Sequence, residues 1–245
     1  GLFVKVGHDV EVLQGSLIST WSFSRTVQRL WEAPVIFAAE YQWTGFIAVL
    51  VAVTAVALAW PLAAAGRERR RLETGMDLVT IGLVLMPGPL VGLMVVRIFQ
   101  LPVPGFSTLY QQTLIPTVIA LLCRAMPAAY WVLRAGYRGL DNQLLDTAQF
   151  DHSWVKRVLF IDRPLLAGSL CIAGVAAAIV ASGDVPAMLP VVPPGVTTVG
   201  TRLFGLLHSG ARYQEAALAV WYLAAVLLIS LFLARRFLAL RVKVK

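Results

Sequence analysis

The residues most able to do chemistry are three histidines and two cysteines, and their spacing gives them little to do. His8, His152 and His208 fall in three separate segments. His8 has Glu11 three residues on, but two donors without a third nearby make a poor metal site. Cys123 and Cys171 both lie in apolar runs, where a thiol packs as a small hydrophobe. Neither a disulfide framework nor a metal-ligand spacing follows from them. The chain has no GxSxG, HExxH or GxxxxGK[ST] motif and no paired carboxylates within an apolar run. The expectation is a chain that is not itself an enzyme and holds neither a metal nor a cofactor of its own.

Two charges set in apolar surroundings carry more information. Arg124 stands in the middle of Leu109–Leu133 as its only charged residue. Facing lipid it would cost about 2.5–3.5 kcal/mol, so it must face a neighbouring helix or an aqueous cavity. That leaves a pathway or gate residue, or an anchor bonded to backbone carbonyls of another helix. Asp184 closes a charge-free run, where it could meet a cationic solute or Arg202, or serve as an ordinary interface residue. Pro87 and Gly88, in Met86-Pro87-Gly88-Pro89, interrupt a third run. Unwound backbone inside a membrane is tolerated where it lines a cavity, so both are pathway candidates, with a packing kink as the alternative.

The elements that would position these residues follow from composition. The chain is 58% hydrophobic and 14% charged, with a mean hydropathy of +0.76, against a mix of about half apolar and a quarter charged in soluble domains. Crossing about 30 Å of hydrocarbon at 1.5 Å per residue takes around 20 residues. Thr44–Ala65, Leu78–Val96, Leu109–Leu133, Pro164–Gly183 and Ala216–Ala234 are near or above that length. Prolines at 61, 87, 116 and 127 suit a membrane bundle, where neighbours repair lost hydrogen bonds. The expected fold is an all-α integral membrane protein, a polytopic bundle of about five transmembrane helices.

The net charge of +8 raises nucleic acid as a partner, and the placement of the charges argues against it. Of 21 Lys and Arg, 14 lie in Gly66–Asp77, Arg134–Arg163 and Arg235–Lys245, which are alternate connections. This is the positive-inside pattern and makes those three segments cytoplasmic. The expected organisation is an outer amphipathic lead-in over 1–43, a transmembrane domain over 44–240 with a cytoplasmic loop 141–163 and an outer loop 184–215, and a basic cytoplasmic tail over 241–245. The chain begins with Gly, and no signal-peptide pattern stands near residue 1. Residue 1 is outside on this topology, so a preceding membrane crossing is expected and the chain reads as part of something longer.

Between two apolar runs lies LLDTAQFDHSWVKRVLFIDRP, Leu144 to Pro164. Leu145, Ala148, Phe150, Trp154, Val155, Val158 and Leu159 recur largely at three- and four-residue intervals, with Asp146, Gln149, Asp151, Lys156 and Arg157 filling much of the rest. Asp151 and Ser153 are residues that cap helix N-termini. The pattern predicts two short amphipathic helices with a turn between them. Its physics fits an interfacial helix on anionic lipid or a docking surface for a soluble partner.

This segment resembles the cytoplasmic EAA loop of permease subunits in type I ABC importers, the binding-protein-dependent transport systems. Asp146-Thr147-Ala148 stands where that pattern begins and Pro164 where it ends. Asp replaces Glu, Thr replaces the first Ala, Asp151 or His152 takes the place of the Gly, and the interval to Pro164 is one residue short. Ala181–Val220 resembles the matching region of the ferric-iron-type permeases in its Ser182-Gly183-Asp184, Pro193-Pro194-Gly195, Arg202 and Leu207-His208-x-Gly210. The resemblance covers roughly Trp21 to Arg236, with Trp21–Glu32 as the outer approach to the first span. It implies a type I permease fold in a bacterial inner membrane. The implied partners are a second permease half, a periplasmic solute-binding protein and cytoplasmic ABC ATPase subunits that bind the ATP and Mg. The substrate would be ferric iron or another small solute. Asp146, Ala148, Phe150, Asp151, His152, Trp154, Lys156, Arg157 and Pro164 would couple to the ATPase, with Phe150 and Trp154 as the apolar knob and Asp146, Lys156 and Arg157 forming ion pairs at its rim. Arg202 and His208 are candidates to touch the binding protein. A non-transporting membrane scaffold or a lipid-interacting protein is the alternative.

Overall fold

The computed structural model describes residues 2–13, 16–140, 153–209 and 212–242. Asp146, Ala148, Phe150, Asp151 and His152 therefore lie outside the described residues, as do Gly210 and the last three residues of the basic tail. The described chain is predominantly helical, with one departure from the all-α expectation. His8–Leu13 and Ser16–Trp21 form a two-stranded antiparallel hairpin in which His8 pairs with Trp21 and Leu13 with Ser16. The period-two alternation of HDVEVL is the local cause.

Two compact units divide the chain, one of Gly1–Gly45 with Gly195–Lys245 and the other of Phe46–Pro194. In the first, helix Phe23–Ile36 follows the hairpin and has Pro34 in its last turn. Ala33 and Phe37 pack into a cluster with Val6, Val199, Leu206 and Ala216–Leu218, drawn from the unit's other helices. The Tyr41 hydroxyl donates to the Leu218 carbonyl at 3.0 Å and Trp221 Nε1 to the Leu30 carbonyl at 2.7 Å.

The apolar runs become helices whose ends differ from the expected ones for identifiable reasons. Among the described residues two helices, Ala38–Glu68 and Ile115–Arg138, are long and apolar enough to cross a membrane unbroken. Two further spans exist only if bent pairs are counted. Arg70–Leu85 joins Gly88–Phe99 at 102°, and Trp154–Leu165 joins Ala167–Gly183 at 85°. Ala216–Phe232, within helix Arg212–Val242, is a shorter apolar stretch. Against the five expected spans, the described residues thus give two, or up to four with the bent pairs, because the second and fourth runs do not continue straight and the fifth is seen only as this shorter stretch.

The first bend follows from proline geometry. Met86 is extended, with ψ of 125°, as the residue before a proline prefers, and Pro87 follows with ψ of 135°. The second follows from Pro164, which has no N–H and whose ring crowds the carbonyl four residues back. The helix widens ahead of it into a π-turn over Val158–Asp162, with the Arg163 N–H donating to the Val158 carbonyl. The apolar helix then starts at Ala167 rather than at Pro164.

Small residues set the packing of the second unit. Ala120, Ala125 and Ala129 of helix Ile115–Arg138 and Ala173, Ala177 and Ala181 of helix Ala167–Gly183 are all buried. A Cβ on Gly136 would stand 2.5 Å from Ser169 Oγ, so the two helices meet at a distance only glycine permits there. Gly92 plays the same part against Ala187, whose carbonyl oxygen would lie 2.6 Å from an added Cβ.

Candidate functional site

Functional candidates gather at two places in the second unit. At the first, helix Ile115–Arg138 carries Arg124 to the break in the neighbouring helix. Helix Arg70–Leu85 ends at Met86, and the last carbonyls of any helix lack intrahelical partners. Arg124 Nη1 donates to the carbonyls of Leu83 at 3.0 Å, Val84 at 3.3 Å and Met86 at 2.8 Å. Its Nε lies 2.6 Å from Asp184 Oδ2. The other carboxylate oxygen of Asp184 accepts from the Ala187 N–H at 3.2 Å, capping the short helix Val185–Met188.

One ion pair therefore closes two exposed helix ends and joins the Pro87 break to the end of Ala167–Gly183. Gly88 sits against it, since a Cβ there would stand 2.9 Å from Asp184 Oδ1. Asp184 is thus engaged by Arg124, and a cationic solute would have to displace an arginine to reach it. Arg202 lies in the other unit, 3.5 Å from Glu40 and 5.7 Å from the centre of the Phe37 ring. His208 Nδ1 bonds the Phe204 carbonyl one turn back at 2.7 Å.

The second place is the basic end of the same unit, where the amphipathic helix Trp154–Leu165 is fastened. It starts after Ser153, which holds the extended N-cap conformation without a side-chain cap bond. Its inward face carries Arg157, Val158 and Asp162. Arg157 pairs with Glu68 at the end of helix Ala38–Glu68, and its Nε is 4.0 Å from Asp162 Oδ2. Asp162 is wholly buried and accepts from the Tyr137 hydroxyl at 3.0 Å, which in turn accepts from Trp60 Nε1 at 3.1 Å. A chain of polar contacts thus runs from Trp60 through Tyr137 and Asp162 to Arg157 and Glu68. The link between Arg157 and Asp162 is electrostatic rather than a hydrogen bond, and Arg157 Nε and Asp162 Oδ1 are left buried without a hydrogen-bond partner among the described residues.

The outward face carries Trp154, Val155, Lys156, Leu159, Phe160 and Pro164, all exposed. Arg157, expected at the rim of a partner's groove, is turned inward and occupied within the chain. Phe160 is 73% exposed against 38% for Trp154, so the more prominent aromatic of the described segment is one the periodicity did not single out.

The sequence also gave no weight to Glu68, Asp162 or Tyr137, nor to the ion pairs beside them. Arg134 bonds Glu73 at 2.8 Å and Asp77 at 2.6 Å, and Arg138 bonds Glu73 at 2.8 Å. The available signal was spacing. Glu73 and Asp77 are four residues apart, as are Arg134 and Arg138, so each pair presents one charge sign on one helix face. Among the described residues no group of three His, Cys, Asp or Glu stands where it could hold a metal ion. No protein-family model matches the chain, and comparison with curated proteins returns no match.

Proposed function

We propose that the chain is a permease subunit, or one half of a permease, of a type I ABC importer in a bacterial inner membrane, carrying ferric iron or another small solute. The observation that supports this most directly is the junction at Leu166. A short amphipathic helix with an exposed apolar face meets an apolar helix at 85° and is fastened at its inner face by Arg157, Asp162, Glu68 and Tyr137. A partner that moves Trp154–Leu165 would move Ala167–Gly183, which follows it directly at Leu166, and would pull on the ends of helices Ala38–Glu68 and Ile115–Arg138 through Glu68 and Tyr137. Such an arrangement suits coupling to a cytoplasmic ATPase, which would supply the ATP and Mg.

In this reading Pro87, Gly88, Arg124 and Asp184 belong to the moving part of the pathway, and Trp154, Lys156 and Phe160, with Asp146, Phe150 and their neighbours, meet the ATPase. Arg202 and His208 are the candidate contacts for a periplasmic binding protein. The test is whether genes for an ABC ATPase and a secreted binding protein lie beside the gene for this chain, then co-purification with that ATPase and ATP hydrolysis in liposomes with and without that binding protein. Stimulated hydrolysis and solute uptake are expected, and an ATPase that neither co-purifies nor responds defeats the proposal.

A further inference from the structure

The basic end of the second unit encloses a cleft that the polar chain around Asp162 does not fill. It has a volume of about 270 Å³ and is walled by Arg67, Glu73, Tyr130, Arg134, Tyr137 and Arg138. These come from the last turns of helices Ala38–Glu68 and Ile115–Arg138 and the first turn of Arg70–Leu85. Three guanidinium groups meet the carboxylates of Glu73, in the wall, and Asp77, which pairs with Arg134, so the cluster keeps one excess positive charge with both ionised and favours an anion over a cation. Guanidinium forks match the oxygens of phosphate or carboxylate groups.

A second observation is independent of the charge. Tyr130 is wholly buried, and its hydroxyl has no hydrogen-bond partner among the described residues. A buried donor left unmade is costly, and native structures seldom carry one without reason. Tyr137, two turns further along the same helix, also lines the cleft, but its hydroxyl is engaged by Trp60 and Asp162, which leaves the Tyr130 hydroxyl as the unpartnered hydroxyl in this wall.

The location selects among anions. The cleft lies where three helix ends meet, at the end of the apolar helices that carries the basic connections Gly66–Asp77 and Arg134–Arg163, which on the expected topology faces the phosphates of the inner leaflet. The volume falls just below the roughly 300–1,000 Å³ of pockets for drug-sized molecules, enough for a headgroup and not for an extended solute. We propose that this cleft binds a phosphate group, either inorganic or in the headgroup of an anionic phospholipid, with Arg67, Arg134 and Arg138 as counter-charges and the Tyr130 hydroxyl as a donor. The proposal does not depend on the transport reading.

The test uses the full chain in nanodiscs of phosphatidylcholine alone, titrated with inorganic phosphate, and in nanodiscs of phosphatidylcholine mixed with phosphatidylglycerol. The midpoint of thermal unfolding is read in each. Arg138, 63% exposed, is replaced in Arg138→Gln and Tyr130 in Tyr130→Phe. A rise in midpoint with phosphate assigns a soluble anion, and a rise only with phosphatidylglycerol assigns the headgroup. In either case Arg138→Gln is expected to weaken half-saturation about tenfold or more and Tyr130→Phe about fivefold. Tyr130→Phe should meanwhile leave the ligand-free midpoint unchanged or raised, which separates lost binding from lost folding. The proposal is overturned if neither probe moves the midpoint. It is equally overturned if the phosphatidylglycerol effect persists undiminished in both variants, since that is general attraction between a basic surface and anionic lipid.

Discussion

Arg124 Nε and Asp184 Oδ2 lie 2.6 Å apart across 60 residues of sequence, and the pair holds the ends of two interrupted helices. Its worth lies in what each partner would suffer alone. Removing one member of a buried pair costs about 3–5 kcal/mol, and here both side chains keep some exposure, 22% and 12%. Arg124→Leu is therefore expected to cost about 2–4 kcal/mol in reversible unfolding in mixed micelles, while membrane insertion is unimpaired because a charge has been removed. Adding Asp184→Asn removes the stranded carboxylate, keeps an oxygen to cap Ala187, and should recover about 1 kcal/mol or more. A double variant no more stable than Arg124→Leu would show that the carbonyl bonds, not the ion pair, are what matters.

Tyr130 and Tyr137 stand seven residues apart on one helix and should answer the same substitution with opposite signs. Tyr137→Phe strands Trp60 Nε1 and takes a donor from the buried Asp162, and about 1–3 kcal/mol of stability should go with it. Tyr130→Phe removes a hydroxyl that has no partner, so without phosphate or anionic lipid it should be neutral or stabilising by up to about 1 kcal/mol. Thermal unfolding in phosphatidylcholine nanodiscs reads both. Equal losses in the two variants would mean that the Tyr130 hydroxyl has a partner after all.

The helices of this unit were legible in the sequence where one physical rule decided them. The charge-free run Thr44–Ala65 lies within helix Ala38–Glu68, and the interruption at Pro87 falls where the prolines stand. The size of the bend was not legible, because it depends on what satisfies the freed carbonyls, and that is Arg124, some 40 residues later. Trp154–Leu165 was visible as an amphipathic segment, but which of its charges turn inward was not. Lys156 and Arg157 are adjacent in sequence, and only the presence of Glu68, 89 residues away, takes Arg157 out of the surface. Local pattern placed the elements, and long-range ion pairs decided what the elements present.

The orientation expected from the basic asymmetry can be tested directly. In a background with Cys123 and Cys171 replaced by Ala, a single cysteine at Arg70 should be shielded from an impermeant thiol reagent in intact cells, and one at Arg202 should be labelled. Both native positions are exposed in the fold, so the membrane alone should separate them. Labelling at position 70 from outside would reverse the orientation and move the basic cleft to the other face.

The outward face of Trp154–Leu165 meets either a protein or a lipid surface, and the two respond differently to substitution. A buried aromatic hot spot in a protein interface contributes about 2 kcal/mol or more, whereas an interfacial helix loses only part of its partitioning energy when one side chain is truncated. If the proposed ATPase coupling holds, Trp154→Ala and Phe160→Ala should therefore release the ATPase, or leave it hydrolysing ATP without driving transport, while the chain remains inserted. Both sites are exposed and neither belongs to the Arg157–Asp162 fastening, so folding should survive. Asp146→Lys sharpens the contrast although Asp146 lies outside the described residues. It reverses a charge that would pair at the groove rim, yet it adds a cation that anionic lipid would welcome at about 1 kcal/mol. Loss of ATPase binding in all three variants marks a protein interface. Retained ATPase binding and full transport in all three, with tighter association of Asp146→Lys with anionic vesicles, would assign the helix to the bilayer and remove the main support for coupling.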